Sequence, residues 1–101
     1  MKLLIITSIS EFENEIKQML VKANVKNFSY KEVMGYHNTS NEAIGDNWFA
    51  TEMNENESML FYAFVPSENV EMIFNAINEF NGKQETLSKI HVATVNIENS
   101  N

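Results

Sequence analysis

Cysteine and arginine are both missing from this 101-residue chain. Without cysteine there is no disulfide framework, no thiol nucleophile and no cysteine-based zinc site. Without arginine there is no guanidinium fork to clamp a phosphate bidentately. The 7 basic residues are all lysines and face 14 acidic ones, for a net charge of −7. That balance argues against a nucleic-acid binder, which needs cations to displace counterions from phosphate. The 3 glycines, Gly35, Gly45 and Gly82, are too scattered for a phosphate-cradling loop. No apolar run approaches the about 20 residues of a membrane span. The opening Met1–Ile6 is too short for a signal peptide and lacks a small-residue cleavage site behind it, so a cytoplasmic protein is expected.

What is present suits one packed domain over residues 1–101. Hydrophobic residues make up 44% and aromatic residues 11%, too many for a disordered chain. A domain this small gains from burial against another subunit.

Leu3–Thr7 is a branched apolar run that predicts a strand buried on both faces. Ser10 and Glu13 have the spacing of a capping box. Phe12, Ile16, Met19, Leu20 and Ala23 then recur at helical intervals, with Asn24 as a stop. Residues 27–36 alternate partially, with Phe28, Tyr30, Met34 and Tyr36 on one parity, and predict a half-exposed strand. Residues 37–57 lose all periodicity and predict a long loop, a feature that in compact domains is usually functional or disordered. Met59–Val65 predicts a second doubly buried strand, ended by Pro66. Ser67 is a natural N-cap. Val70, Ile73, Phe74, Ile77 and Phe80 give a second helical stripe, and Gly82 suits a left-handed position after it. Lys89–Ile97 predicts the last strand.

The order β-α-β-β-α-β is that of a ferredoxin-like α+β fold: a four-stranded antiparallel sheet with two helices on one face. Two helices cover one face only, and the other should be polar in a monomer. Yet both faces of the first, third and last strands are apolar. An uncovered patch of that size is unusual on a soluble monomer, so a symmetric homo-oligomer is expected.

Catalytic signals are thin. No nucleophile elbow accompanies the two histidines, His37 and His91, and a strand histidine such as His91 is ordinarily structural. His37 with Glu42 or Asp46 could hold a borderline cation, and Met34, Met53 and Met59 could offer thioethers to a Cu ion, but no ligand spacing supports either site. Trp48-Phe49 is an aromatic pair within an acidic, polar loop. It reads equally as a partner-binding surface or as a fold-back onto the sheet.

Three stretches carry a family likeness: Met1-Lys2-Leu3-Leu4-Ile5, Glu32-Val33-Met34-Gly35-Tyr36, and Lys89-Ile90-His91-Val92 with Val95. Their order and positions resemble the nitrogen-regulatory P-II-like superfamily. The Glu32–Tyr36 stretch is similar to the segment leading into that family's partner-binding loop, and the Lys89–Val92 stretch to the strand bordering its nucleotide site. The resemblance implies a non-enzymatic signalling homotrimer with small effectors, often adenine nucleotides, in clefts between subunits. Gly35, Tyr36, His37 and Lys89 would line the effector site, Gly35 admitting backbone approach and Lys89 meeting a phosphate. The loop over 37–57, with Trp48 and Phe49, would contact a protein partner such as a membrane transporter, without membrane insertion. The chain departs from the pattern at His37, where the family has a second glycine, and at residues 81–88, which lack a Gly-Asp-Gly turn. It also lacks the loop tyrosine that is uridylylated in many nitrogen regulators, and a divergent member is implied. Two alternatives share the fold. One is a trimer similar to the CutA group, binding a divalent cation through His37 and loop carboxylates. The other is a dimeric αβ-barrel enzyme with His91 or His37 as base.

Overall fold

The computed structural model describes residues 1–36 and 55–101. Strand β1 spans Lys2–Ile9, helix α1 Glu13–Lys22, strand β2 Ser29–Tyr36, strand β3 Glu55–Val65, helix α2 Val70–Lys83 and strand β4 His91–Asn96. They build one four-stranded sheet in the order β2-β3-β1-β4, with every neighbouring pair antiparallel. This is the ferredoxin-like α+β arrangement expected from the element order.

The core lies between the helices and one face of the sheet. Leu4 and Ile6 of β1 stand opposite Ala63 and Phe61 of β3, and all four are buried. Helix α1 contributes Ile16 and Leu20, and α2 contributes Ile73 and Ile77. The helical stripes read from the sequence are thus the packed faces. Each such side chain contributes about 1.5–3 kcal/mol by leaving water. Phe12 and Phe80 meet edge-to-face, their centroids 5.0 Å apart, and join the start of α1 to the end of α2.

Helix termini differ from expectation in a physically informative way. Ser10 does not cap α1: it opens a short 3-10 turn over Ser10–Phe12, and its hydroxyl is buried without a hydrogen-bond partner. Ser67 likewise opens a 3-10 turn over Ser67–Asn69, and no side chain caps α2. In both places the 3-10 turn tightens the approach to the helix, so the serine sits one turn too early to reach the first free amides. Asn24 does stop α1. It takes a left-handed φ of 63°, and Val25 and Asn24 donate to the carbonyls of Leu20 and Val21 in a Schellman arrangement. Gly82 is not left-handed. It lies inside α2, which ends one residue later.

Strand β3 begins earlier than the sequence suggests. Glu55–Glu57 belong to β3, paired with Tyr36, Gly35 and Met34 in the edge hairpin. Beyond Ser58 strand β3 outruns β1 and has β2 alone as a neighbour, where a ladder needs no apolar side chains, so polar residues hid this extension from a reading by hydrophobicity. At the other end β4 begins at His91, leaving Lys89 and Ile90 ahead of the strand.

From Met59 onward, strand β3 is fully buried on one face only. Met59, Phe61, Ala63 and Val65 are buried, whereas Tyr62 is 45% and Phe64 59% exposed on the face without helices. In register beside them lie Leu3 and Ile5 of β1, and Ala93 and Val95 of β4. The uncovered apolar face inferred from the sequence is present in the folded chain. No helix among the described residues is long and apolar enough to cross a membrane.

Candidate functional site

Of the sequence-predicted site residues, the structure describes Gly35, Tyr36 and Lys89. Gly35 is a buried position near the end of β2, paired with Asn56, and Tyr36 follows it with an exposed ring. His37, Trp48 and Phe49 lie outside the described residues, as do Glu42, Asp46 and Met53.

Lys89 sits on the opposite edge. It is exposed and precedes β4, and its Nζ donates to the Asn81 carbonyl at 3.0 Å. Asn81 also reaches across with its side chain. Its Nδ2 donates to the Ile90 carbonyl and its Oδ1 accepts from the Ile90 amide, both at 2.8 Å. The end of α2 is thereby tied to the approach of β4, and the backbone carrying Lys89 is fixed. Lysine at a helix C-terminus also complements the helix dipole.

The register fixes how these residues relate. His91 pairs with Thr7, Ile9 with Ser58 and Ser58 with Val33, so Lys89 and Gly35 both lie at the sheet end next to residues 37–54. They are on the two outer strands, however, β4 and β2. Three interstrand spacings, about 14 Å, separate those edges. A single chain therefore does not bring Gly35 and Tyr36 together with Lys89.

A groove lies at the other end of β2, against β3. The groove has a volume of about 630 Å³ and is lined by Lys26, Asn27, Phe28, Tyr30, Tyr62 and Phe64 with the intervening residues. It exists because β3 outruns β2: Ser29 pairs with Tyr62, and Ala63–Val65 have no β2 partner. Sequence reading missed this feature, since strand mismatch is a matter of register that periodicity does not report.

Tyr30 is held firmly at the rim. Its ring stacks on Phe61 at 5.4 Å, and Lys17 from α1 lies 4.1 Å over its centroid. Lys17 Nζ also donates to Glu13 at 2.7 Å and to the Tyr30 hydroxyl at 3.0 Å. The hydrogen bond to Glu13, then that to Tyr30, raises the Lys17 pKa above its ordinary value.

Among the described residues no group of three or more His, Asp or Glu side chains is placed to hold a metal ion. Met59 is a buried core residue, which accounts for it by packing, while Met34 is exposed. His91 is exposed at the start of β4, paired with Thr7.

No protein-family model matches the chain, and no curated protein matches it. Solved structures do. CPII, a nitrogen regulatory PII-like protein from Thiomonas intermedia K12 solved with ADP, AMP and bicarbonate, has a TM-score of 0.63. The match covers 98% of this chain and 93% of that one at 15% identity. A DUF3240 family protein from Shewanella baltica OS155 has a TM-score of 0.68 over 99% of this chain and 92% of that one, at 12% identity. The chain thus has the ferredoxin-like fold in the form that these proteins share. At such identities the likeness speaks for the fold.

Proposed function

We propose that the protein is a divergent P-II-like signalling protein without catalytic activity. It assembles as a homotrimer of single-domain chains in the cytoplasm and binds a small anionic effector between subunits. The observation that carries this reading is the placement of Gly35 and Tyr36 on one sheet edge and Lys89 on the other, at the same end. In a closed ring of copies each interface is heterologous: one edge of a subunit meets the opposite edge of its neighbour. Such a ring sets Lys89 of one copy beside Gly35, Tyr36 and His37 of the next. The apolar open face, with Leu3, Ile5, Leu60, Tyr62, Phe64 and Val95, supplies the surface that the ring would bury.

An adenine nucleotide is the effector this reading favours. Lys89 would meet a phosphate as a point charge, and Gly35 would let the backbone approach the ligand. CPII was solved with ADP, AMP and bicarbonate, which supports a nucleotide or a small oxyanion as the ligand class. Residues 37–54, with Trp48 and Phe49, would report effector state to a protein partner such as a membrane transporter.

Two measurements test the assignment. Replacing Lys89 with alanine should weaken ADP binding about tenfold or more while leaving assembly intact, since a charge-assisted hydrogen bond contributes about 1.5–3 kcal/mol. Unchanged affinity would remove Lys89 from the site. Deleting residues 38–54 should abolish partner capture and preserve the fold. Loss of folding would make Trp48 and Phe49 core residues instead.

A further inference from the structure

The face of the sheet without helices is apolar at one end and differs in charge at the other. Thr7 pairs with His91 on one side and with Leu60 on the other, and Leu60 pairs with Lys31. Lys31, Leu60, Thr7 and His91 therefore form one row across the strands β2, β3, β1 and β4. The row lies on the uncovered face, because Met59 and Phe61 on either side of Leu60 are core residues and successive side chains of a strand point to opposite faces. Its two ends, Lys31 and His91, are exposed. Within the strands the acidic residues are Glu32, Glu55 and Glu57, and their register positions belong to the helix side. A chain with 14 acidic residues thus places none at a strand position of the uncovered face. Thr7 adds an independent observation. Its hydroxyl is buried and has no hydrogen-bond partner, a state that buried polar groups ordinarily avoid.

We infer that this row is an oxyanion site completed between copies, with Lys31 of one copy and His91 of the next as its walls. The inference rests on the ring assembly proposed above. Rotation about an axis along the strands preserves levels. Joining the β4 edge of one copy to the β2 edge of the next therefore sets His91 opposite Lys31, since the two share a row. Basic side chains directly opposite each other disfavour strand pairing, and a lysine charge enclosed by the ring needs a counter-charge. No strand carboxylate on this face supplies one. An anion with several acceptor oxygens does. The Lys31 ammonium donates to one oxygen, and an imidazole N–H of His91, present in either protonation state, donates to another. Thr7, beside His91 in the row, brings a hydroxyl that has no bond within its own chain. The site lies nearer the middle of the strands than Gly35 and Lys89. Its chemistry fits inorganic phosphate, or the phosphate end of a nucleotide that reaches in from Lys89, two residues before His91.

Sedimentation velocity with added inorganic phosphate tests the site, with ionic strength held constant by chloride. Phosphate should tighten assembly of the full chain about tenfold, the scale of one charge-assisted contact. Lys31→Met removes the charge at an exposed position. This variant should assemble without phosphate as tightly as wild type does with it, and calorimetry should show no phosphate uptake. His91→Phe should lose the uptake as well. Lys22→Met removes the same charge from an exposed position on α1 and should behave as wild type. ADP identifies the source of the anion, and either result supports the site: ADP bound alongside phosphate leaves the row to a free oxyanion, and ADP that displaces phosphate makes the nucleotide's own phosphate the occupant. A wild-type ring that takes up no phosphate would overturn the inference and leave the ring standing. Uptake that survives Lys31→Met would overturn it too, as would equal losses in Lys31→Met and Lys22→Met, which trace the effect to net charge. A wild type that stays monomeric in phosphate would overturn the ring and this site together.

Discussion

Asn81 holds Ile90 by both backbone groups, donating to its carbonyl and accepting from its amide at 2.8 Å each. One side chain at the end of α2 thus takes the place of a strand partner for a residue that stands just outside the sheet. Ile90 is 3% exposed, so its amide and carbonyl have little water to fall back on.

Asn81→Ala should therefore destabilise the fold by about 2–3 kcal/mol, because it removes two hydrogen bonds and strands two sheltered polar groups. Urea unfolding followed by circular dichroism measures this as a lowered midpoint with an unchanged slope. A loss under about 0.5 kcal/mol, the scale of an ordinary surface change, would mean that water replaces the clamp.

Ser10→Ala should be neutral or slightly stabilising. The capping-box reading would assign this substitution a cost of about 1 kcal/mol. The Ser10 hydroxyl has no partner and is shielded from water, so removing it relieves an unpaired polar group. Thermal melts of the two proteins decide between these readings.

Sequence and structure part company at such local details for one reason. Hydrophobic spacing follows burial, and burial is decided by the whole helix or strand: Ile16, Leu20, Ile73 and Ile77 announced both helices and the core face. Capping depends on a single turn of backbone, and the 3-10 turns at Ser10 and Ser67 shifted both serines away from the amides they would have capped. Polar edge pairing at Glu55–Glu57 carries no hydrophobic signal. The candidate residues could be named from the sequence, but not how the fold arranges them. Gly35 and Lys89 stand out in the sequence, but only the strand order puts them on opposite edges.

Lys17 joins α1 to the sheet through Glu13 and Tyr30, and its folded-state pKa is raised. A group with a raised folded pKa contributes stability that is fully present below its unfolded pKa and is lost as pH rises through the folded one. Wild-type stability should therefore carry an alkaline decline that begins near the ordinary lysine value and that Lys17→Met lacks. Unfolding midpoints of both proteins between about pH 8 and 11 test this, the reference lysine pKa being about 10.4. Parallel curves would refute the assignment.

Phe64→Glu should leave the isolated chain about as stable as before, within about 0.5 kcal/mol for an exposed position. It should disrupt association, because the ring would bury a carboxylate against Leu3 and Val95 of the open face. Light scattering behind size exclusion should show wild type assembled and the variant monomeric. An unaffected oligomer would move the interface elsewhere.

The central claim is a ring of copies that completes effector sites between its edges. Subunit mixing tests it most directly. Gly35→Val and Lys89→Ala each damage one half of every site, so each pure variant should bind ADP poorly. Mixed rings contain interfaces where an intact Gly35 edge meets an intact Lys89 edge. Native mass spectrometry of the unfolded, mixed and refolded pair should show trimers, with ADP bound by those of mixed composition. Recovered binding in mixed trimers is the predicted result. Mixed trimers that bind no better than the parents, or a protein that remains monomeric while wild type binds ADP, would contradict a site shared between subunits.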